Sequence, residues 1–176
     1  LETPSAGQVW VGGRDLLNIS PSDLVAYRRK DAGFVWQQGG RNLVPYLTTR
    51  QNVELPLLLL GWPNRKRRER VTELLEAIGL KDRMSYKLDR LSGGEQQRVA
   101  IARALIHDPD VILADEPTGN LDLDTAEQVL ELLDILVRKA GKTMIMATHS
   151  QEVIGKADRV FSIRDKSLCL SNELNS

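Results

Sequence analysis

Val111-Ile112-Leu113-Ala114 is an unbroken apolar run that stops at two adjacent acids, Asp115 and Glu116. A strand with one wet face alternates in polarity. A strand apolar at every position needs cover on both faces, the situation of a parallel sheet between helical layers. Phe34-Val35-Trp36 reads as a second buried strand and Thr143 to Ala147 as a third. Between them the apolar period changes to that of helices. Val71, Leu74, Leu75 and Ile78 share one face of a helix that stops at Gly79. Val129, Leu132, Leu133 and Leu136 share the inner face of another, which Asp124-Thr125 opens and which ends near Gly141. Strand–helix alternation of this kind predicts an α/β fold with a mainly parallel core sheet. Smaller pieces flank it. Gln8 to Val11 with Gly12-Gly13 predicts a strand and tight hairpin turn, and Ser20-Pro21 starts a short helix. The stretch from about Val44 to Leu88 reads as mostly helical, and a short helix and a hairpin around Asp165-Lys166 close the chain.

Bulk properties narrow the choice of partner. Lysine plus arginine and aspartate plus glutamate number 24 each, so no net field draws the chain to nucleic acid or an anionic membrane. The basic run Arg65-Lys66-Arg67-Arg68 is diluted by Glu69, Glu73 and Glu76 and has no interleaved aromatics, which fits a solvated helix face. The apolar stretch Leu55 to Leu60 contains Pro56 and is far short of the roughly 20 residues a spanning helix needs. Cys169 is the single cysteine, so no internal disulfide and no thiolate zinc cluster is expected, which suits a reducing cytosolic setting.

The chemistry concentrates in Leu91-Ser92-Gly93-Gly94-Glu95-Gln96-Gln97-Arg98. Ser92 can cap a helix, and Glu95, three residues on, can complete a capping box. Gly93 and Gly94 would let a ligand approach the first backbone N–H groups, which lie at the positive end of the helix dipole and favour an anion. On its own the same pattern also fits an ordinary capped helix. Asp115 and Glu116 are likewise open to two readings. A strand end carrying two carboxylates can serve a metal ion and a general base, or can simply cap the helix that follows.

The octet resembles the signature motif of the ATP-binding cassette (ABC) ATPases, and further matches follow in that family's order. Val111 to Pro117 resembles Walker B, Thr118-Gly119-Asn120-Leu121-Asp122 the D-loop, and Thr148-His149 the switch histidine. Upstream, Gly33-Phe34-Val35-Trp36-Gln37 looks like the strand and glutamine of the Q-loop. The resemblance implies a P-loop NTPase-like domain that binds ATP and Mg²⁺ and hydrolyses ATP, with a helical subdomain over 44–90 leading into the signature helix. It gives Asp115 and Gln37 to Mg²⁺, Glu116 to activation of the attacking water, and His149 to the γ-phosphate. Ser92, Gly93, Gly94 and Gln96 would cover an ATP held by a second, facing cassette, with Gln37 at the nucleotide and Asp122 at the seam.

Within the family, Asn52 to Gly61 and Thr118 to Asp122 resemble the lipoprotein-release and macrolide- or peptide-export group. That implies a homodimer on the cytoplasmic face of the membrane, partnered by transmembrane permease subunits, with no nucleic-acid partner. The loop Gln38-Gly39-Gly40-Arg41-Asn42 is less aromatic and apolar than in relatives, and it is the segment expected to meet the membrane partner. Alternatives are an importer ATPase, a DNA-maintenance ATPase, which would carry a long coiled coil where only Gln38 to Arg90 intervenes, and a regulatory cassette.

No G-x-x-x-x-G-K-[ST] phosphate loop occurs in the sequence, although in the family one lies upstream of a segment similar to Leu1-Glu2-Thr3-Pro4-Ser5-Ala6-Gly7. The expectation is a partial domain without the strand, loop and helix of Walker A. The 176-residue polypeptide should therefore neither bind ATP tightly nor hydrolyse it. Magnesium-dependent phosphate release by the purified chain checks this, and turnover at cassette-like rates would refute it.

Overall fold

The computed structural model describes residues 6–37, 39–165 and 167–170. A short antiparallel pair, β1 (Trp10–Val11) and β2 (Arg14–Asp15), opens it. Gly12 and Gly13 make the turn with φ of +56° and +76°, the geometry that two-residue hairpins demand and glycine supplies. Helix α1 (Pro21–Lys30) starts as expected, with Pro21 at its first position and the Asp23 amide donating to Ser20 Oγ at 3.1 Å. Strand β3 (Ala32–Val35) leads to the short helix α2 (Gly39–Asn42). Helix α3 (Thr49–Leu59) carries a capping box between Thr48 and Gln51, and α4 (Asn64–Ala77) stops before Gly79, at φ +70°. Two 3₁₀ turns, Lys81–Arg83 and Leu88–Arg90, precede α5 (Gly93–Leu105). Then come β4 (Val111–Asp115), α6 (Leu123–Lys139), β5 (Thr143–Ala147), α7 (Gln151–Ile154), β6 (Phe161–Arg164) and β7 (Ser167–Leu170).

The chain divides into two compact units, residues 1–146 and 147–176. In the first, the main sheet has the order β3-β4-β5. β3 and β4 are parallel, in register from Ala32 opposite Val111 to Val35 opposite Ala114. Both strands therefore finish at one edge, where Trp36-Gln37 and Asp115-Glu116 emerge side by side. In the second unit, β6 and β7 form an antiparallel hairpin pairing Phe161 with Leu170 and Arg164 with Ser167. Asp165 takes the left-handed turn position at φ +48°, while Lys166 lies outside the described residues. Phe161, Ile163, Leu168 and Leu170 of this hairpin are exposed, as is Cys169.

Two apolar cores share α5. Its residues Val99, Ala100 and Ala102, with Ile106 just beyond, pack with Val53, Leu57, Val71, Leu74 and Leu75 of α3 and α4. Ile101, Ala104 and Leu105 pack instead with Val35, Ile112, Val129 and Leu133 of the sheet and α6. The helix lies directly on β3, because a Cβ on Gly33 would come within 2.4 Å of the Ala104 carbonyl oxygen. Its first turn lies as closely on α6, because a Cβ on Gly94 would come within 2.3 Å of Thr125 Cγ2. The α4 face expected from the sequence is buried at Val71, Leu74, Leu75 and Ile78. Of the basic run, Arg65, Lys66 and Arg68 are exposed and Arg65 pairs with Glu69, whereas Arg67 is partly buried, reaching back to Glu54 at 2.9 Å and to the Trp62 carbonyl. Among the described residues, no helix is long and apolar enough to cross a membrane.

Three expectations need correction. Trp36 is not buried in the strand: β3 ends at Val35, and Trp36 stands 44% exposed, stacked on Phe34 with ring centroids 6.2 Å apart. β5 is not buried on both faces. It stands at the edge of the three-strand order; Met144 and Met146 meet the core beneath α6, while Ile145 is 60% exposed on the other face. Finally, α6 is capped by Asp122 rather than opened by Asp124-Thr125, since the Thr125 amide donates to Asp122 Oδ1 at 3.0 Å.

Two packing features give measurable consequences. His107, just after α5, is mostly buried with one ring nitrogen 3.2 Å from the Ala32 carbonyl oxygen and the other without a partner. Burial is the main cause that holds its pKa below the ordinary value, with the Ala32 carbonyl opposing. The unfolded chain thus takes up a proton first as pH falls, so stability is full above about pH 6.5 and declines as pH drops below it. The urea midpoint should fall between pH 7.5 and 5.5, and His107→Gln should flatten that decline; an identical slope in the variant would discount His107. Gly94→Ala should cost about 1–3 kcal/mol through overpacking against Thr125. Thr125→Ser removes the clashing methyl and should recover most of that loss in a double-mutant cycle of denaturant midpoints.

Candidate nucleotide site

The site begins where β3 and β4 end. Asp115 is the last residue of β4, and its side chain is exposed. Glu116 follows in the left-handed region at φ +43°, a conformation that costs a non-glycine residue on the order of 1–3 kcal/mol. The turn after it is held by backbone bonds from the Gly119 amide to the Glu116 carbonyl at 3.1 Å and from the Leu121 amide to the Thr118 carbonyl at 3.0 Å. Gln37 lies against this turn. A Cβ on Gly119 would come within 2.9 Å of Gln37 Nε2, and the Asn120 amide reaches the Gln37 carbonyl oxygen at 3.5 Å. Gln37, Asp115 and Glu116, placed together by sequence reasoning, thus arrive on neighbouring strand ends, with the 116–122 turn bearing on Gln37.

The glycine-opened turn lies at the start of α5. The capping box is complete: the Glu95 amide donates to Ser92 Oγ at 3.2 Å, and the Ser92 amide donates to Glu95 Oε2 at 2.8 Å. The bond from the Ser92 amide is the main cause holding the Glu95 carboxyl below its usual range; the Ser92 hydroxyl and the nearby Arg83 guanidinium add to it against desolvation. The two glycines differ. Gly93 is exposed, and a Cβ there would meet only Leu121 Cδ2, at 3.7 Å, so this is where a ligand can approach the backbone. Gly94 is buried, its empty side occupied by Thr125.

Gln96 is committed locally, its Nε2 donating to the Leu88 and Leu91 carbonyls at 3.0 and 3.2 Å. It braces the approach to Ser92. Asp122, at the end of the 116–122 turn, is exposed, and the Thr125 amide it accepts is the main cause holding its carboxyl low. His149 belongs to the second unit, two residues after β5; there the Ser150 amide donates to Thr148 Oγ1 at 3.1 Å. Sequence reasoning passed over Thr125, Gln97 and Arg103. Gln97 had one available signal, its place inside the octet, and its side chain proves 2% exposed with Nε2 donating to the Trp36 carbonyl at 3.2 Å. Among the described residues no three His, Cys, Asp or Glu side chains gather into a metal-holding group.

Residues 1–119 match the sequence family described as ABC transporter. The chain is 43% identical over 165 residues to the lipoprotein-releasing system ATP-binding protein LolD of Syntrophus aciditrophicus, covering 94% of this chain and 73% of that protein. It is 41% identical over 172 residues to the macrolide export ATP-binding/permease protein MacB of Bartonella henselae, covering 98% of this chain and 26% of that much longer one. Among solved structures it is similar to the dimeric ATP-binding cassette MJ0796 in a post-hydrolysis state bound to ADP and Pi. There the TM-score is 0.84 and the identity 37%, covering 99% of this chain and 76% of that one. A family match over residues 1–119, joined by these likenesses across nearly the whole chain, shows that the chain belongs to the ABC transporter family as an ATPase subunit.

Proposed function

We propose that this cassette couples ATP hydrolysis to export or to release of lipoproteins from a membrane, acting as a homodimer beneath transmembrane permease subunits on the cytoplasmic face. The carrying observation is the parallel register of β3 and β4, which brings Gln37, Asp115 and Glu116 to one edge. The likeness to LolD and MacB supports the export and lipoprotein-release assignment, and the dimeric MJ0796 cassette supports the paired state. The assigned roles give Glu116 the attacking water, His149 the γ-phosphate, and Ser92, Gly93, Gly94 and Gln96 the nucleotide of the facing copy. Asp122 stands at the seam.

The residues fit Mg²⁺ in their donor chemistry. Asp115 offers an exposed carboxylate and Gln37 an amide oxygen from the neighbouring strand end, both hard oxygen donors. Mg²⁺ calls for few protein donors, because it gives up its waters reluctantly. When bound, that ion would neutralise phosphate charge. Residues 44–90 would serve as the helical subdomain leading into α5.

In a cassette completed by a phosphate loop, Glu116→Gln should lower hydrolysis by about 10²–10⁴ while leaving ATP binding in place, as removal of a general base does. Steady-state turnover beside equilibrium ATP binding separates the two, and undiminished turnover would remove Glu116 from its role. For the transport assignment, the test is which permease co-purifies with the cassette from its own cells. A permease of few spans with a large extracytoplasmic domain is the expected partner; a multi-spanning importer permease with a binding protein would overturn the export reading.

A further inference from the structure

We propose that Gln97 and Arg103 are positioning residues that clamp the loop carrying Gln37 to helix α5, so that this loop and the signature helix move as one body. Two side chains of a single helix hold the backbone of one loop at both ends. Gln97 Nε2 donates to the Trp36 carbonyl, immediately before Gln37, at 3.2 Å. Less than two turns further along α5, the Arg103 guanidinium donates to the Asn42 carbonyl, at the last residue of α2. Between these anchors Gly39 and Gly40 are pressed onto the helix. A Cβ on Gly39 would come within 2.5 Å of Gln97 Oε1 and 2.9 Å of its Cα, and one on Gly40 within 2.8 Å of Gln96 Oε1.

The chemistry of these contacts explains why polar side chains occupy the helix face there. A loop peptide laid on an apolar helix would leave its carbonyls without partners, at a cost of about 1–3 kcal/mol each. A buried amide and a guanidinium satisfy them and also fix their position. Gln97 is 2% exposed, so its amide has no competing water, and the charge-assisted bond from Arg103 is stronger than a neutral one. On its far side Gln37 touches Gly119 and Asn120 of the turn that starts at Glu116. A displacement of α5 is thereby passed to Gln37 and on to the turn holding Glu116. The clamp's functional meaning rests on the reading of Gln37 as a site residue, but its existence does not.

The test is by ¹⁵N relaxation on the labelled chain. In the parent, the Gly39 and Gly40 amides should show order parameters near the rigid value of about 0.85. Gln97→Met keeps the volume and removes the donor, and Arg103→Met does the same at the other anchor. Each should lower the Gly39 and Gly40 values toward the flexible range, below about 0.6, while Ile101 and Leu133 stay rigid. Arg103→Lys, which keeps a charged donor, should restore the rigid values. Should Gln97→Met fail to fold, Gly39→Ala, which drives a Cβ into Gln97, should loosen the same amides. Rigid Gly39 and Gly40 in both donor-free variants overturn the clamp, and so does loosening that spreads evenly through α5. Hydrolysis by a phosphate-loop-completed cassette is read separately. There the clamp variants should lower kcat several-fold with KM for ATP unchanged, and an inert Gln37→Ala would fail the site reading without touching the clamp.

Discussion

Helix α5 is packed on two faces at once. One face belongs to the core beneath α3 and α4, another to the core between the sheet and α6, and Gln96, Gln97 and Arg103 bind loop backbone. Its closeness to the neighbours is set by absent side chains: Gly33 lets its carbonyls rest on β3, and Gly94 admits Thr125 from α6. Magnitudes separate the roles of cap and core. The Ser92–Glu95 box is worth about 1 kcal/mol. Full burial of Val99, Ile101 and Ile106 contributes about 1.5–3 kcal/mol apiece. Packing therefore fixes where the helix lies, and the cap fixes where it begins. A shift of one residue along α5 would carry Ser92 and Gly93 out of the site and break both cores together.

The strand-end chemistry depends on the same packing at one remove. β3 and β4 deliver Gln37 and the two acids to a common edge only because their register is in step, and α5 covers the face on which that register is buried. The strained φ of Glu116 is tolerated because the following turn closes on its carbonyl and Pro117 is buried behind it. Strain of this kind persists only where the surroundings over-determine it. Here the surroundings include Gly119, whose amide closes the turn on the Glu116 carbonyl, and the Gln37 side chain lying against it.

What the sequence disclosed and what it withheld divide along one line. Periodicity and caps are local, so β4, α4, α5 and the Ser20, Ser92 and Gly12-Gly13 features could be read directly from residue order. Burial of a strand is not local. Thr143 to Ala147 carries the apolar pattern of a central strand, yet Ile145 is exposed because β5 stands at the sheet edge with α6 on one side. Trp36 misled for a related reason: an aromatic just past a strand can stack on the ring two residues before it, here Phe34, instead of entering the core. The capping residue of α6 was obscured by three nearby acids or hydroxyls, Asp122, Asp124 and Thr125, any of which has cap chemistry. Gly94 and Gln97 were hidden most completely. Their partners, Thr125 and Trp36, lie tens of residues away, and no spacing rule reports a contact of that range.

The placement of charge gives the proposed pairing a physical reason. Asp115 and Asp122 are exposed, Gly93 offers its backbone to solvent, and none of them lies in a dry cavity of its own chain. Two unit charges 4 Å apart interact by about 1 kcal/mol in bulk water but by about 4 kcal/mol at an effective dielectric of 20. Phosphoryl transfer relies on positioning and charge neutralisation more than on covalent chemistry by the protein. An open strand edge is therefore a weak catalyst, whatever residues it carries. A second surface that excludes water raises the worth of every group already present, with no change in their identity. The capped glycine turn is suited to be that surface, since it presents backbone N–H groups and the positive end of a helix while its own carboxylate, Glu95, is tied back in the cap. In the proposed homodimer each copy would supply one such lid and receive another, which ties the strength of catalysis to the closure of the pair.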